Sequence, residues 1–259
     1  MSKNIIIYGS SSLISLELIK ILDKDTSKFY LFCRNKNEIE KFIINNNFDT
    51  NKFIIFEVDL IDLKKNLELI NNIKNVTGLI WMAGFSGDSD KELEDLESAK
   101  ASIQINLLNP ILIINEILKK IIKDGRSFLV IVTSVAGLRG RGKNLIYGSA
   151  KSGLITYASG LRQKFNKNLK VITVIPGYIK TKNFNNVALN INFKESEINL
   201  NNTRLYSDKL GELEIYDSIL KSEEGLAVLS GKLKFKIKDK DLFYKNFLIP
   251  KKNRKKITN

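Results

Sequence analysis

The sequence predicts an α/β protein, a three-layer Rossmann fold built on a doubly wound parallel sheet, as a single domain with a divergent C-terminal segment. Three observations predict it. Short apolar runs alternate with segments of helical period, each run is apolar on both faces, and a glycine–serine turn follows the first run. The expected core covers residues 1–181. Residues 182–259 are expected to form a substrate lid and a basic terminal segment of the same domain.

The runs read as strands are Asn4–Tyr8, Phe29–Cys33, Phe53–Val58, Gly78–Ala83, Ser127–Thr133 and Val171–Ile175. Between them, Leu13–Leu22, Asn37–Ile44 and Leu63–Ile73 carry apolar residues at helical spacing. A longer helix is expected over Leu93–Ile122, kinked at Pro110, and another over Leu145–Phe165. After Thr181 the alternation fails: Asn183–Thr203 is polar and reads as a lid or loop. Ser207–Lys221 suits a helix, and Lys232–Lys238 alternates with period 2 like a strand with one basic face.

Composition narrows the chemistry. The 259 residues contain no histidine and one cysteine, Cys33. This excludes histidine-based triads, thiolate zinc centres and internal disulfides. No metal is expected. Proton transfer would fall to Tyr, Lys, Asp or Glu. The formal charge of +14 comes largely from lysine dispersed among Ile and Asn, without a nucleic-acid-binding signature, so no nucleic acid partner is expected. The start, Met1-Ser2-Lys3-Asn4, runs into Ile5 without a signal peptide's long apolar core, and no apolar run is expected to reach the length needed to span a bilayer. The expectation is a cytoplasmic protein, with the run Lys251–Lys256 offering contact to an anionic membrane surface.

Tyr147 and Lys151 lie four apart on one helix face, with Ser134 thirteen residues before Tyr147. A cation beside a phenol favours the phenolate, bringing a group with an ordinary pKa of about 10 toward the working range. A serine hydroxyl held nearby can bond a carbonyl oxygen while the phenol delivers a proton to it. The same spacing also suits a plain helix with a half-exposed aromatic and a solvated lysine. The turn Gly9 to Ser15 offers Gly9 for a tight bend, then Ser11, Ser12, Leu13 and Ile14 at a helix N-terminus, where amides can meet a pyrophosphate. A serine N-cap explains it equally.

Other residues fall at strand ends, where dinucleotides bind in such sheets. Arg34 follows the second run and suits a 2′-phosphate, favouring NADP(H) over NAD(H), or is a surface arginine. Asp59 and Leu60 would border adenine, while Ala83 and Gly84 would let the cofactor approach the backbone. Pro176, Gly177 and Thr181 would hold the nicotinamide end, or form a plain strand-ending turn. Arg139 and Arg141, between Ser134 and Tyr147, can meet a phosphate at the rim or belong to a solvated basic loop.

This ordered set resembles the classical short-chain dehydrogenase/reductase family over about residues 4–181. The resemblance rests on Gly9-Ser-Ser-Ser-Leu-Ile, Asp59-Leu60, Ala83-Gly84, Asn106, Thr133-Ser134-Val-Ala-Gly137, Tyr147-Gly-Ser-Ala-Lys151 and Pro176-Gly177. It implies Tyr147 as general acid, Lys151 lowering its pKa and holding the nicotinamide ribose, Ser134 polarising the carbonyl and Asn106 holding a relay water. It also implies a homodimer or homotetramer through the apolar helix and the Tyr147 helix. The chain departs from the family at Leu13 and Ser15 in the loop, and at Trp81-Met82 where Asn-Asn commonly precedes Ala-Gly. A narrower similarity, through the loop and Leu138–Asn144, is to bacterial reductases of polyprenyl-phospho-pentofuranosid-2-ulose. That would make the substrate a lipid-linked keto sugar of cell-envelope synthesis, against the alternative of a small-molecule ketone. The competing reading is a dinucleotide-binding sensor or partner subunit without efficient catalysis.

Overall fold

The computed structural model describes residues 3–121, 126–165, 167–176 and 204–206. Six strands run parallel: β1 (Asn4–Tyr8), β2 (Lys28–Cys33), β3 (Phe53–Glu57), β4 (Gly78–Trp81), β5 (Phe128–Val132) and β6 (Lys170–Ile175). A seventh, β7 (Arg204–Tyr206), pairs antiparallel with β6, giving the order β3-β2-β1-β4-β5-β6-β7. The helices are α1 (Leu13–Leu22), α2 (Lys36–Asn45), α3 (Leu63–Asn71), α4 (Ser89–Glu94), α5 (Leu96–Ile103), α6 (Asn109–Leu118) and α7 (Leu145–Phe165).

Strand alternation produces the layers. Ile5 and Ile7 pack with Leu18 and Ile19 of α1 and with Ile39 and Ile43 of α2. Ile6 and Tyr8 face the other way, toward Ile70 of α3, Ile113 and Ile117 of α6 and Leu154 of α7. Because β1 lies between β2 and β4, the chain winds outward in both directions from it. A crevice therefore opens at the carboxyl ends of β1 and β4.

Trp81 and Met82 do not leave the central sheet unbraced. Phe56, Phe32, Tyr8 and Trp81 occupy matched registers on four neighbouring strands. Their ring centroids lie 4.8, 4.2 and 4.6 Å apart in that order. Aromatic stacking thus ties β3 to β4 across the core.

The helix expected over Leu93–Ile122 is divided. Asp95 is extended (φ −120°, ψ 106°), ends α4 and caps α5 by accepting the N–H of Glu97. A short polar side chain competing for backbone bonds breaks the helix there. Residues Gln104–Leu108 then widen into a π-helical turn before α6, with Pro110 in its first turn. Proline cannot donate to the carbonyl four residues earlier, and the wider turn accommodates its ring. The stretch Leu96–Leu118, 23 residues, is long and apolar enough by length and composition to cross a membrane, contrary to the sequence expectation. Ile113, Ile114 and Ile117 within it are fully buried in the core.

β7 was not expected, since three residues after a polar stretch carry no clear pattern. The readings of Asn183–Thr203, Ser207–Lys221, Lys232–Lys238 and Lys251–Lys256 fall outside the described residues.

Candidate active site

The loop after β1 is closed by a few bonds. Gly9 has φ +76°, a conformation costly for any other residue, and a Cβ there would stand 2.7 Å from the backbone nitrogen of Ala83. The N–H groups of Gly9 and Ser10 both donate to the carbonyl of Phe32, at 3.0 and 3.1 Å. Ser12 caps α1 by accepting the N–H of Ser15 at 3.1 Å, and the Ser15 hydroxyl donates back to the carbonyl of Gly9 at 2.9 Å. The departure at Ser15 is therefore a brace, which keeps the turn tight with one glycine. Leu13 is exposed. Among the described residues, the N–H groups of Ser11, Leu13 and Ile14 have no protein acceptor. They remain available to an anion at the start of α1, which fits a dinucleotide pyrophosphate.

The strand ends border the same crevice. Arg34 is exposed directly after β2 and makes no ion pair among the described residues. Asp59 is exposed, with its carboxylate accepting the N–H of Ile61 at 2.9 Å. Two asparagines that sequence reasoning missed hold this segment. Asn66 donates to the carbonyl of Asp59 at 2.7 Å, and Asn109 donates to that of Leu60 at 2.6 Å. Ala83 is buried and Gly84 exposed, beyond the end of β4. The carbonyl of Pro176 accepts the N–H of Val135 at 3.0 Å, while Gly177 and Thr181 lie outside the described residues.

Four side chains converge across the crevice. Asn106, fully buried in the π turn, donates to the carbonyls of Phe85 and Ser102 at 2.7 and 3.0 Å, and accepts the N–H of Phe85 at 3.0 Å. A Cβ placed on Gly84 would stand 2.7 Å from Lys151 Nζ and 3.2 Å from Asn106 Oδ1, so both side chains reach the same point of the β4 loop. Lys151 Nζ lies 5.6 Å from the centroid of the Tyr147 ring. Ser134 ends the β5 loop extended, accepts the N–H of Ala136 at 3.2 Å and brings its hydroxyl near enough to the Tyr147 phenol to favour the phenolate.

Backbone contact brings Ser134 to Tyr147. A Cβ on Gly137 would lie 2.7 Å from Ser152 N, and one on Gly148 would lie 2.8 Å from the carbonyl oxygen of Ala136. Only hydrogen atoms fit between this turn and α7. The first N–H of α7, that of Leu145, donates to Ser89 Oγ at 3.1 Å, so a distant serine caps the helix that carries Tyr147. Arg139 is exposed and Arg141 half-buried, on the segment between Ser134 and Tyr147.

Burial governs the titration. It pushes the Tyr147 phenol above its ordinary value, with the Ser134 hydroxyl pulling the other way. Burial lowers Lys151 from 10.5 to about 8. The expected lowering of the phenol by Lys151 is therefore not what the protein alone produces. Instead, Tyr147 keeps its proton at neutral pH, which suits a general acid.

A family model described as short chain dehydrogenase matches residues 3–192. A 3-oxoacyl-[acyl-carrier-protein] reductase of Bos taurus is 31% identical over 115 residues, 44% of this chain and 48% of that protein. The match thus spans about half of that relative's length. Carbonyl reductase family member 4 of Xenopus laevis is 27% identical over 188 residues, 70% of this chain and 77% of its own. Among solved structures, a glucose/ribitol dehydrogenase-type protein of Brucella melitensis superposes with TM-score 0.63 at 16% identity, covering 72% of this chain and 76% of its own. ElxO with NADP bound superposes at 0.64 with 24% identity, covering 75% and 81%. Both likenesses are of fold.

Lys151 yields a prediction with a definite sign. Below about pH 8 the folded protein bears the full cost of a buried ammonium. Between that value and 10.5 the unfolded chain holds more protons, so stability rises with pH by up to ~3 kcal/mol. Urea unfolding of wild type and Lys151→Met at several pH values should show wild type gaining on the variant over this window. A constant difference would contradict it.

Proposed function

The chain belongs to the short chain dehydrogenase family, and from that premise we propose that it is an NADPH-dependent reductase of a ketone, with Tyr147 as general acid. The observation that carries the reading is the meeting of Asn106, Ser134, Tyr147 and Lys151 at the carboxyl edge of the sheet, beside a loop with unsatisfied amides.

The residues fit a nicotinamide dinucleotide. The amides of Ser11, Leu13 and Ile14 would hold its pyrophosphate, Arg34 a 2′-phosphate, Asp59 and Leu60 the adenine, and Lys151 the ribose near Gly84. Bound there, the cofactor supplies the hydride for the carbonyl carbon. Ser134, its oxygen accepting the N–H of Ala136, donates its hydroxyl proton in a hydrogen bond to the carbonyl oxygen, which can only accept. Tyr147 transfers its proton to the same oxygen, and Lys151 offsets the charge left on the phenol. Asn106 fixes the Phe85 loop, and with it the β4 end of the site.

The substrate proposed is a polar ketone bearing a phosphate, such as a lipid-linked or nucleotide-linked keto sugar, supported by the exposed Arg139 on the segment between Ser134 and Tyr147. The name of the bovine relative, a 3-oxoacyl-[acyl-carrier-protein] reductase, favours a second reading, a 3-oxoacyl thioester. A homo-oligomer is proposed through α5, the π-helical turn and α6, where Leu96, Leu108 and Leu112 are exposed.

With purified protein, NADPH and a ketone panel containing both classes, Tyr147→Phe should lower kcat by about 10²–10⁴-fold while leaving NADPH binding unchanged. Turnover retained in the variant would remove Tyr147 from the mechanism; no turnover in wild type, with tight NADPH binding, would favour the sensor reading. Arg34→Asp should cost about tenfold or more in NADPH affinity relative to NADH, the value of a lost charged hydrogen bond. An unchanged ratio would place Arg34 outside the cofactor site. Light scattering should find a dimer or tetramer that Leu112→Glu converts toward monomer, and a monomeric wild type would refute the interface.

A further inference from the structure

Two charged side chains outside the catalytic group carry buried polar atoms without partners, and their elements pack together. Glu92 of α4 is 4% exposed, and neither carboxylate oxygen has a hydrogen-bond partner. Its carboxylate lies over Gly87, where any Cβ would collide with it. Arg141 is half-buried, and its Nε is likewise buried without an acceptor. α4 packs on residues 142–144 and on α7. Ser89 of α4 bonds the Leu145 N–H, and Glu92, three residues on, lies one turn along the same face. Glu92 therefore sits one turn from the contact between α4 and the segment that Arg141 opens.

A carboxylate withdrawn from water is strongly unfavourable unless paired, and a guanidinium fork is its best complement. No ion pair among the described residues includes either side chain. We infer that Glu92 is the anchor of Arg141: the two close by side-chain rotation into a buried ion pair that fixes residues 138–144 against α4. Glu92 is then a positioning residue for the segment joining Ser134 to Tyr147. Arg139, exposed, is left as the cation for a substrate anion; this division rests on the function proposed above, whereas the anchoring does not.

Trypsin tests the anchor without a substrate. The full chain is digested under native conditions, with cleavage after Arg139 and Lys143 followed by mass spectrometry and cleavage after Lys20 on α1 as the control. Glu92→Gln and Arg141→Gln should each speed cleavage at the two loop bonds about tenfold, as expected for local loosening of the segment. The double variant should be no faster than either single one, and Arg141→Lys should recover much of the protection. Multiplying effects in the double variant, or equal acceleration at Lys20, would overturn the inference. Because no ketone or cofactor enters the measurement, an incorrect substrate reading leaves its result unaffected.

Discussion

The site depends on one meeting point, the backbone at Gly84. A Cβ added there would stand 2.7 Å from Lys151 Nζ and 3.2 Å from Asn106 Oδ1. This brings the end of β4, the π turn before α6 and the second turn of α7 to one point. Each arrives for a separate reason: β4 through its pairing with β1 and β5, the π turn through Pro110, and α7 through its contact with the Val135–Gly137 turn. Moving any of them would separate the phenol, the amine and the amide. Local packing thus carries into the geometry on which proton transfer depends.

Much of this was legible from the chain. The six parallel strands stood out because strands buried on both faces are dense in Ile, Val and Phe. The expected span of Leu145–Phe165 coincides with α7. Asn106, Ser134, Tyr147 and Lys151, singled out in the sequence, lie near one another in the structure. What was not legible depends on contacts between distant residues. Nothing near Ser89 announces that it caps a helix starting 56 positions later, nor near Asn109 that it holds Leu60, 49 positions earlier. The division at Asp95 had a local signal, an aspartate able to cap the following helix, but helical periodicity overrode it.

The departures from the family pattern have physical replacements. Ser15 turns the missing glycine into a hydroxyl clasp on Gly9, so the loop gains a hydrogen bond where it loses backbone freedom. Trp81 substitutes stacking for amide hydrogen bonds in the central sheet. The exchange leaves the Tyr8 hydroxyl and the indole N–H of Trp81 buried without partners. Burial raises the Tyr8 phenol well above its ordinary value, keeping it neutral in the stack. The stacked area therefore has to offset two unsatisfied polar atoms.

Trp81 is the only tryptophan in the chain. It is fully buried, stacked on Tyr8, and two residues before Ala83 at the floor of the crevice. Its fluorescence therefore comes from one dry location, without a second indole to dilute the signal. Blue-shifted emission belongs to such a site, and a reduced nicotinamide ring absorbs in the region where the indole emits. The residue that braces the sheet is consequently a built-in optical donor beside the proposed cofactor cleft. Energy transfer from it would follow occupancy without any label.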